Sequence, residues 1–392
     1  MNVNELYSEA RQLEPWMIET RRALHRIPED GFSEFKTQAY IAKQLGALSI
    51  PFETRRTWII ANIQGGLSGP TVALRAEMDG LPVVEPEGCP FRSQHEGWMH
   101  ACGHDLHMAI QLAAAKLLLA RREQLRGNVR LLFQPAEESV GGAAPMVAAG
   151  AMDGVDAVYG LHVQPYMNVG QIDTRPGCLN ASTDELKIVV EGVSGHAARP
   201  EQAVDAIVCA AQLVTALQTV VSRSASPLKP AALSLGMIHG GEAPNVICDR
   251  VQIRGTLRTA DPGLRVHLME RIRAICDGIA AACGARINLE FTGGYIALMN
   301  TPAEAERILR IGGTLLGREN ARFRESPSMG GEDFSYFIDK VPGVFWHLGC
   351  APAQPAPALH SRDFAPDERC MPIGAALQTA LVLDRMGMLG QR

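Results

Sequence analysis

The stretch Met99-His100-Ala101-Cys102-Gly103-His104-Asp105-Leu106-His107 places a thiol, three imidazoles and a carboxylate within nine residues. Thiolate and imidazole are favoured ligands of borderline-soft divalent ions. Elsewhere, Glu77 and Asp79 follow the apolar run 71–76, Glu137-Glu138 follow the run 128–134, and His162 lies near the end of 157–163. His360 sits in Ala358-Leu359-His360-Ser361. Several successive strand-like runs thus end in metal-capable residues, which points to one shared site. Two cations bridged by a water can hydrolyse an amide, because they lower the pKa of that water and polarise the carbonyl. Such a centre needs about five or six protein ligands, and Cys102, His104, Glu138, His162 and His360 can supply them. The donor set suits zinc or manganese first, then cobalt or nickel. A thiolate can bridge two ions, and coordination would keep Cys102 deprotonated near neutral pH. Of Glu137 and Glu138, one can ligate while the other takes the water proton as general base.

These residues need a scaffold. Gly97 and Gly103 place the Cys/His stretch on a turn, and the apolar text after His107 predicts a buried helix. Residues 3–26 predict a helix ended by Pro28 and Gly31, and 35–48 a second one. Apolar runs at 58–63, 71–76, 128–134, 157–163 and 344–349 predict strands, with helices at 302–316 and from Ile373 onward. The block 184–293 reads strand, helix, strand, strand, helix, strand, the order of a ferredoxin-like unit. The expected fold is therefore α/β: a catalytic domain with a mostly parallel central sheet flanked by helices, plus an inserted α+β ferredoxin-like domain. The expected limits are 1–182 and 294–392 for the catalytic domain and 183–293 for the insert.

The chain has 392 residues, 46% hydrophobic and 20% charged, with a net charge of −5 and no basic run, which argues against nucleic acid as a partner. No apolar run of about 18 residues is apparent, so no membrane span is expected. The polar start lacks the layout of a secretion signal. Nine scattered cysteines suit reduced thiols in the cytoplasm.

Other histidines have plainer readings. His25 beside a helix–Pro junction suits capping or packing, and His107, one turn past His104, suits support of a neighbour or the helix face. Asp79 and Asp105 either orient imidazoles or cap helices. His95, His239, His267 and His347 read as structural or surface residues.

Together the motifs resemble the M20 metallopeptidase family, in its branch of N-acyl-amino-acid amidohydrolases, such as hippurate and auxin-conjugate hydrolases. The resemblance rests on His25-Arg26-Ile27-Pro28-Glu29, Arg75-Ala76-Glu77-Met78-Asp79-Gly80, the Cys/His turn, Phe133-Gln134-Pro135-Ala136-Glu137-Glu138, Gly195-His196-Ala197-Ala198-Arg199-Pro200, Gly240-Gly241-Glu242-Ala243-Pro244-Asn245, Met329-Gly330-Gly331-Glu332-Asp333-Phe334 and Leu359-His360. It implies that Cys102, His104, Glu138, His162 and His360 hold two metal ions and that Glu137 is the general base; Asp79, by its place after the run 71–76, is a further candidate beside them. It implies that the insert is a lid and homodimerisation domain. Its His196 would stabilise the oxyanion, in cis or from a partner subunit, and Asn245 and Arg258 would contact substrate. The substrate would be a small N-acyl amino acid, cleaved to a carboxylic acid and a free amino acid. A dipeptidase or carboxypeptidase on the same site is the alternative. Glu77 stands where the branch usually has Asp.

Overall fold

The architecture, taken from a computed structural model, is described for residues 2–390. The chain divides into two compact units: one holds the residues up to Gly177, Met299–Ser326 and those from Asp333 onward, and the other holds Cys178–Leu298 with Pro327–Glu332.

The first unit is built on an eight-stranded sheet. Its order is Phe52–Arg55, Trp58–Gln64, Arg126–Gln134, Leu67–Glu77, Ala157–Asn168, Gly343–Ala351, Ile172–Thr174 and Ala321–Phe323. The four central strands, from Arg126–Gln134 to Gly343–Ala351, run parallel. The last of these is buried at every residue, as parallel strands covered on both faces must be. The short strands Phe52–Arg55, Ile172–Thr174 and Ala321–Phe323 give too little apolar pattern to be read from sequence.

Helix His104–Leu119 is buried almost all round, and it packs against Glu14–His25 and Cys370–Arg385. A helix apolar on every side must be enclosed in this way. The expected helix 3–26 is two helices, Val3–Gln12 and Glu14–His25. Pro15 explains the break: it sits in the first turn of the second helix, where its missing N–H costs nothing.

The second unit has a four-stranded antiparallel sheet in the order Ala231–Gly240, Arg250–Thr259, Ser182–Glu191, Arg286–Thr292. Helices Ala206–Ser224 and Pro262–Cys283 complete the β-α-β-β-α-β order. Leu213, Leu217, Leu268 and Ile272 of the helices share a core with Leu186, Ile188, Ile253 and Leu257 of the sheet. Helix Ala206–Ser224 is long and apolar enough to cross a membrane by length and composition. Its apolar content arises because one side, including Cys209, Leu213, Leu217 and Val220, packs into the unit's own core while Ile207 and Val208 lie outside it.

Candidate active site

The parallel register sets the floor of the site. Gln134 pairs with Glu77, and His162 pairs with His347. Arg75 pairs with Gly160, so His162, two residues on, stands level with Glu77. One rung across four strands therefore carries Gln134, Glu77, His162 and His347. The turns after these strands lie at the carboxyl ends, where parallel sheets place their sites.

Five side chains converge there. Cys102 Sγ is 3.2 Å from His162 Nε2 and 3.3 Å from His360 Nε2. His360 Nε2 is 3.1 Å from Glu138 Oε1, and His104 Nε2 is 3.9 Å from the same oxygen. Two sets bring their donor atoms within 4.8 Å of one another: Cys102, His104 and His162, and Cys102, Glu138 and His360. Cys102 belongs to both. A third set of the same kind joins His104, Glu137 and Glu138.

The imidazoles are held with Nε2 inward. His104 Nδ1 donates to the Asp79 carbonyl at 2.9 Å, and His162 Nδ1 donates to the Val163 carbonyl at 2.6 Å. Because Nδ1 carries the proton, the Nε2 lone pair of a neutral ring is left for a cation. His104 Nε2 is buried with no hydrogen-bond partner among the described residues. An unpaired buried nitrogen is costly, and a divalent ion is the ligand that this donor set fits.

The electrostatics favour positive charge. Burial works against protonation of His104, yet its hydrogen bond to Asp79 and the charges of Asp79, Glu77 and Glu138 raise it to about 10. Burial raises Glu138, but His360 and His104 outweigh it and bring the carboxyl down to about 2. Burial pushes the Cys102 thiol well above its usual range, and the neighbouring carboxylates push it further. A thiolate at Cys102 therefore needs a cation beside it.

Around these donors lies a second tier of residues, and here the open readings of the sequence are decided. Asp79 caps no helix. Its Oδ2 accepts the Glu138 N–H at 2.9 Å, and its Oδ1 is 3.3 Å from His104 Nδ1. Asp105 turns to Arg21 and His25, each at 2.7 Å. His107 cannot ligate: Nδ1 donates to Glu77 at 2.8 Å, and Nε2 accepts the Val163 N–H at 2.9 Å. It thereby pins the strand beside His162. Glu77 spans from Arg75 to His107, and these two outweigh burial and hold its carboxyl well below the usual range. Arg75 also reaches Gln134 at 2.7 Å and Asp333 at 2.8 Å. Sequence reading missed Arg75, Gln134 and Asp333 as one network. The alternation of Arg75 and Glu77 on a strand otherwise apolar was the available signal.

His25, Glu85 and Cys89 also gather donor atoms within 4.8 Å, beside a cavity of about 280 Å³. Both His25 nitrogens are already engaged, Nδ1 by Asp105 and Nε2 by Glu85 at 3.2 Å. Burial opposes the charge on His25, but the two carboxylates still raise its pKa. This group is an ion-pair cluster joining the helix of His25 to that of Asp105.

The second unit carries the other candidates. His196 is exposed on the two-residue strand Gly195–His196, paired with Val246–Ile247. Its Nδ1 accepts the Ala198 N–H at 3.0 Å, so a neutral ring carries its proton on Nε2 as an outward donor. Asn245 lies beside it, its carbonyl accepting the Ala197 N–H at 3.1 Å. Arg258, near the end of Arg250–Thr259, donates to the Met329 carbonyl at 2.7 Å.

Residues 73–384 match the family described as peptidase family M20/M25/M40. The chain belongs to this family. It is a hydrolase of amide bonds. It is 41% identical over 368 residues to an N-acetyldiaminopimelate deacetylase of Streptococcus pneumoniae, covering 92% of this chain and 96% of that one. It is 41% identical over 345 residues to the N-acetyl-L-cysteine deacetylase of Bacillus subtilis, covering 86% and 81%. Among solved structures, it resembles a putative aminohydrolase from methicillin-resistant Staphylococcus aureus with a TM-score of 0.92 and 34% identity over the whole of both chains. It also resembles a Bacillus subtilis protein described as a dinuclear metal binding peptidase from the M20 family, with a TM-score of 0.84 and 31% identity over 97% and 99%.

Proposed function

We propose that this M20 hydrolase cleaves the amide bond of a small N-acyl amino acid, releasing a carboxylic acid and the free amino acid. The observation that carries this reading is the pair of donor sets that share Cys102, with Glu137 beside one of them. The named deacetylase relatives support the substrate class. In this reading Cys102, His104, His162, Glu138 and His360 would hold two divalent ions, zinc or manganese, with Cys102 common to both donor sets. The ions, when bound, supply an acidified water and a polarised carbonyl. Glu137 takes the proton from the attacking water and passes it to the leaving amine. Asp79 fixes both His104 and the Glu138 amide. His196 presents Nε2–H to the developing oxyanion, while Asn245 and Arg258 hold the amide or carboxylate of the substrate.

The reading extends to a cytoplasmic homodimer formed through a lid domain, residues 183–293. All nine cysteines are free thiols, which suits a reducing compartment. Strand Ala231–Gly240 is at the edge of its sheet and exposes Met237 and Ile238, which suits pairing with a second copy. Sedimentation showing only monomer would remove the dimer.

The test of the activity is a comparison of kcat/KM on N-acetyl amino acids, N-benzoyl amino acids and dipeptides, with the protein reconstituted in zinc or manganese. N-acyl amino acids are expected to lead by at least about tenfold. Dipeptides leading by that margin would overturn the substrate class.

A further inference from the structure

The motif around Pro28–Glu34 has no part in the chemistry above, yet it is seated directly against the turn that carries Glu137 and Glu138. A Cβ on Gly31 would lie 2.3 Å from Ser139 Oγ and 2.8 Å from Ala136 Cβ, so the two segments touch without room for a side chain. Glu29 braces its own segment, its carboxylate accepting the Thr37 N–H at 2.9 Å and the Lys36 N–H at 3.1 Å. Its carbonyl accepts the Gly80 N–H at 2.8 Å, next to Asp79.

Glu34 completes the contact. Its side chain is fully buried, and Oε1 accepts the Ala136 N–H at 2.8 Å. It starts helix Phe35–Ala47 but caps none of that helix's amides. Burying a carboxyl is costly, and this one gives its Oε1 to a residue 102 positions away. Ala136 is the place where the turn needs help. Its φ is 56°, a left-handed conformation that residues other than glycine rarely adopt. Such backbone persists when its surroundings over-determine it. Three hydrogen bonds do so here: Glu34 at the Ala136 amide, Gly141 N–H at the Ala136 carbonyl (3.0 Å), and Asp79 at the Glu138 amide (2.9 Å). Glu137 lies between the pinned amides of Ala136 and Glu138.

We propose that Glu34 is a positioning residue: by holding the Ala136 amide it fixes the left-handed turn that aims Glu137 and Glu138. The inference rests on the proposed function for the roles of those two glutamates. It assigns Pro28–Glu34 a purpose, which is to connect the N-terminal helices to the turn bearing the base.

The test uses the full chain with Glu34→Ala and Glu34→Gln. Gln keeps a carbonyl oxygen for the Ala136 amide, and Ala does not. Two readouts are taken: competition of zinc against a chelator, and kcat and KM at matched metal loading. Glu34→Ala is expected to weaken one of two zinc ions about tenfold or more and to lower kcat by about tenfold to a hundredfold, with KM within about threefold. Glu34→Gln is expected to stay within about threefold of wild type in both. If Glu34→Ala does not fold, Glu34→Asp, one methylene too short for the contact, takes its place with the same expected losses. Wild-type zinc affinity and kcat in the Ala or Asp variant would overturn the proposal, and so would equal losses in the Gln variant. If the wild-type protein binds two zinc ions but hydrolyses no N-acyl amino acid, the proposed function falls, while the zinc measurement still decides the role of Glu34.

Discussion

The ligand cluster of the first unit and the His196–Asn245 ribbon of the second hold their polar groups in opposite ways. In the cluster, His104 and His162 are buried and each fixed through Nδ1, and a further tier of Asp79, Glu77, His107 and Arg75 fixes their surroundings. The ribbon is two residues long on each strand, His196 is exposed, and one backbone N–H sets its ring. A cluster built that way spends buried charge to preorganise donors before any ion or substrate arrives. A ribbon built the other way leaves its donor free to meet a substrate and adds little to stability. Apart from the proposed base Glu137, substitutions in the cluster should therefore change metal binding and folding together, and those in the ribbon should change turnover alone.

The largest effect is expected at Glu137. Glu137→Ala should lower kcat by about 10²–10⁴ and leave metal content near wild type. Near-normal turnover in the metal-loaded variant would remove Glu137 as the base. His196→Ala should cost about 10²–10³ in kcat, with thermal stability and metal content unchanged. A drop in metal content there would blur the contrast between the two regions. Cys102→Ser should reduce the number or the affinity of bound ions, measured by metal analysis after dialysis; two tightly held ions would disprove the bridge. His107→Ala should weaken metal binding by about 10–100-fold and also lower the denaturation midpoint, because it frees Glu77 and the Val163 amide at once.

The smallest effect is a pH dependence. Burial raises the Glu34 carboxyl from 4.5 to about 7, although Thr57 and backbone hydrogen bonds oppose the shift. The folded state thus holds a proton there that the unfolded chain gives up first. Its contribution to stability is full below pH 4.5 and is lost as the pH rises through 7. Glu34→Gln should remove this slope and gain on the order of 1–3 kcal/mol relative to wild type above pH 7. Parallel denaturation curves for the two proteins from pH 4.5 to 8 would count against it.

Much of this was legible in residue order. Apolar runs of strand length located the central strands, because strands covered on both faces have no polar alternation to hide them. The ferredoxin-like order of 184–293 was readable because its half-exposed strands alternate, as Arg286–Thr292 does along its whole length. The five candidate donors were recognisable as thiol, imidazole and carboxylate groups at strand ends and glycine turns, and the structure brings them together. Helix Ala206–Ser224 was harder to read, because its sequence does not say whether an apolar helix packs on protein or lipid.

Composition and spacing by themselves singled out which residues could ligate a metal and which strands deliver them. Only the tertiary structure decided how each one is used. His104 and His107 are one helical turn apart and chemically identical, yet the Nε2 of one has no hydrogen-bond partner among the described residues and the other gives its Nε2 to the Val163 amide. Asp79 and Asp105 look alike in sequence, yet one faces Glu138 and the other His25. Glu34, 102 residues before its partner, has no local feature that marks it. A side chain's partners are fixed by strand register and by close approach between distant segments, and these are properties of the packed chain rather than of any window within it.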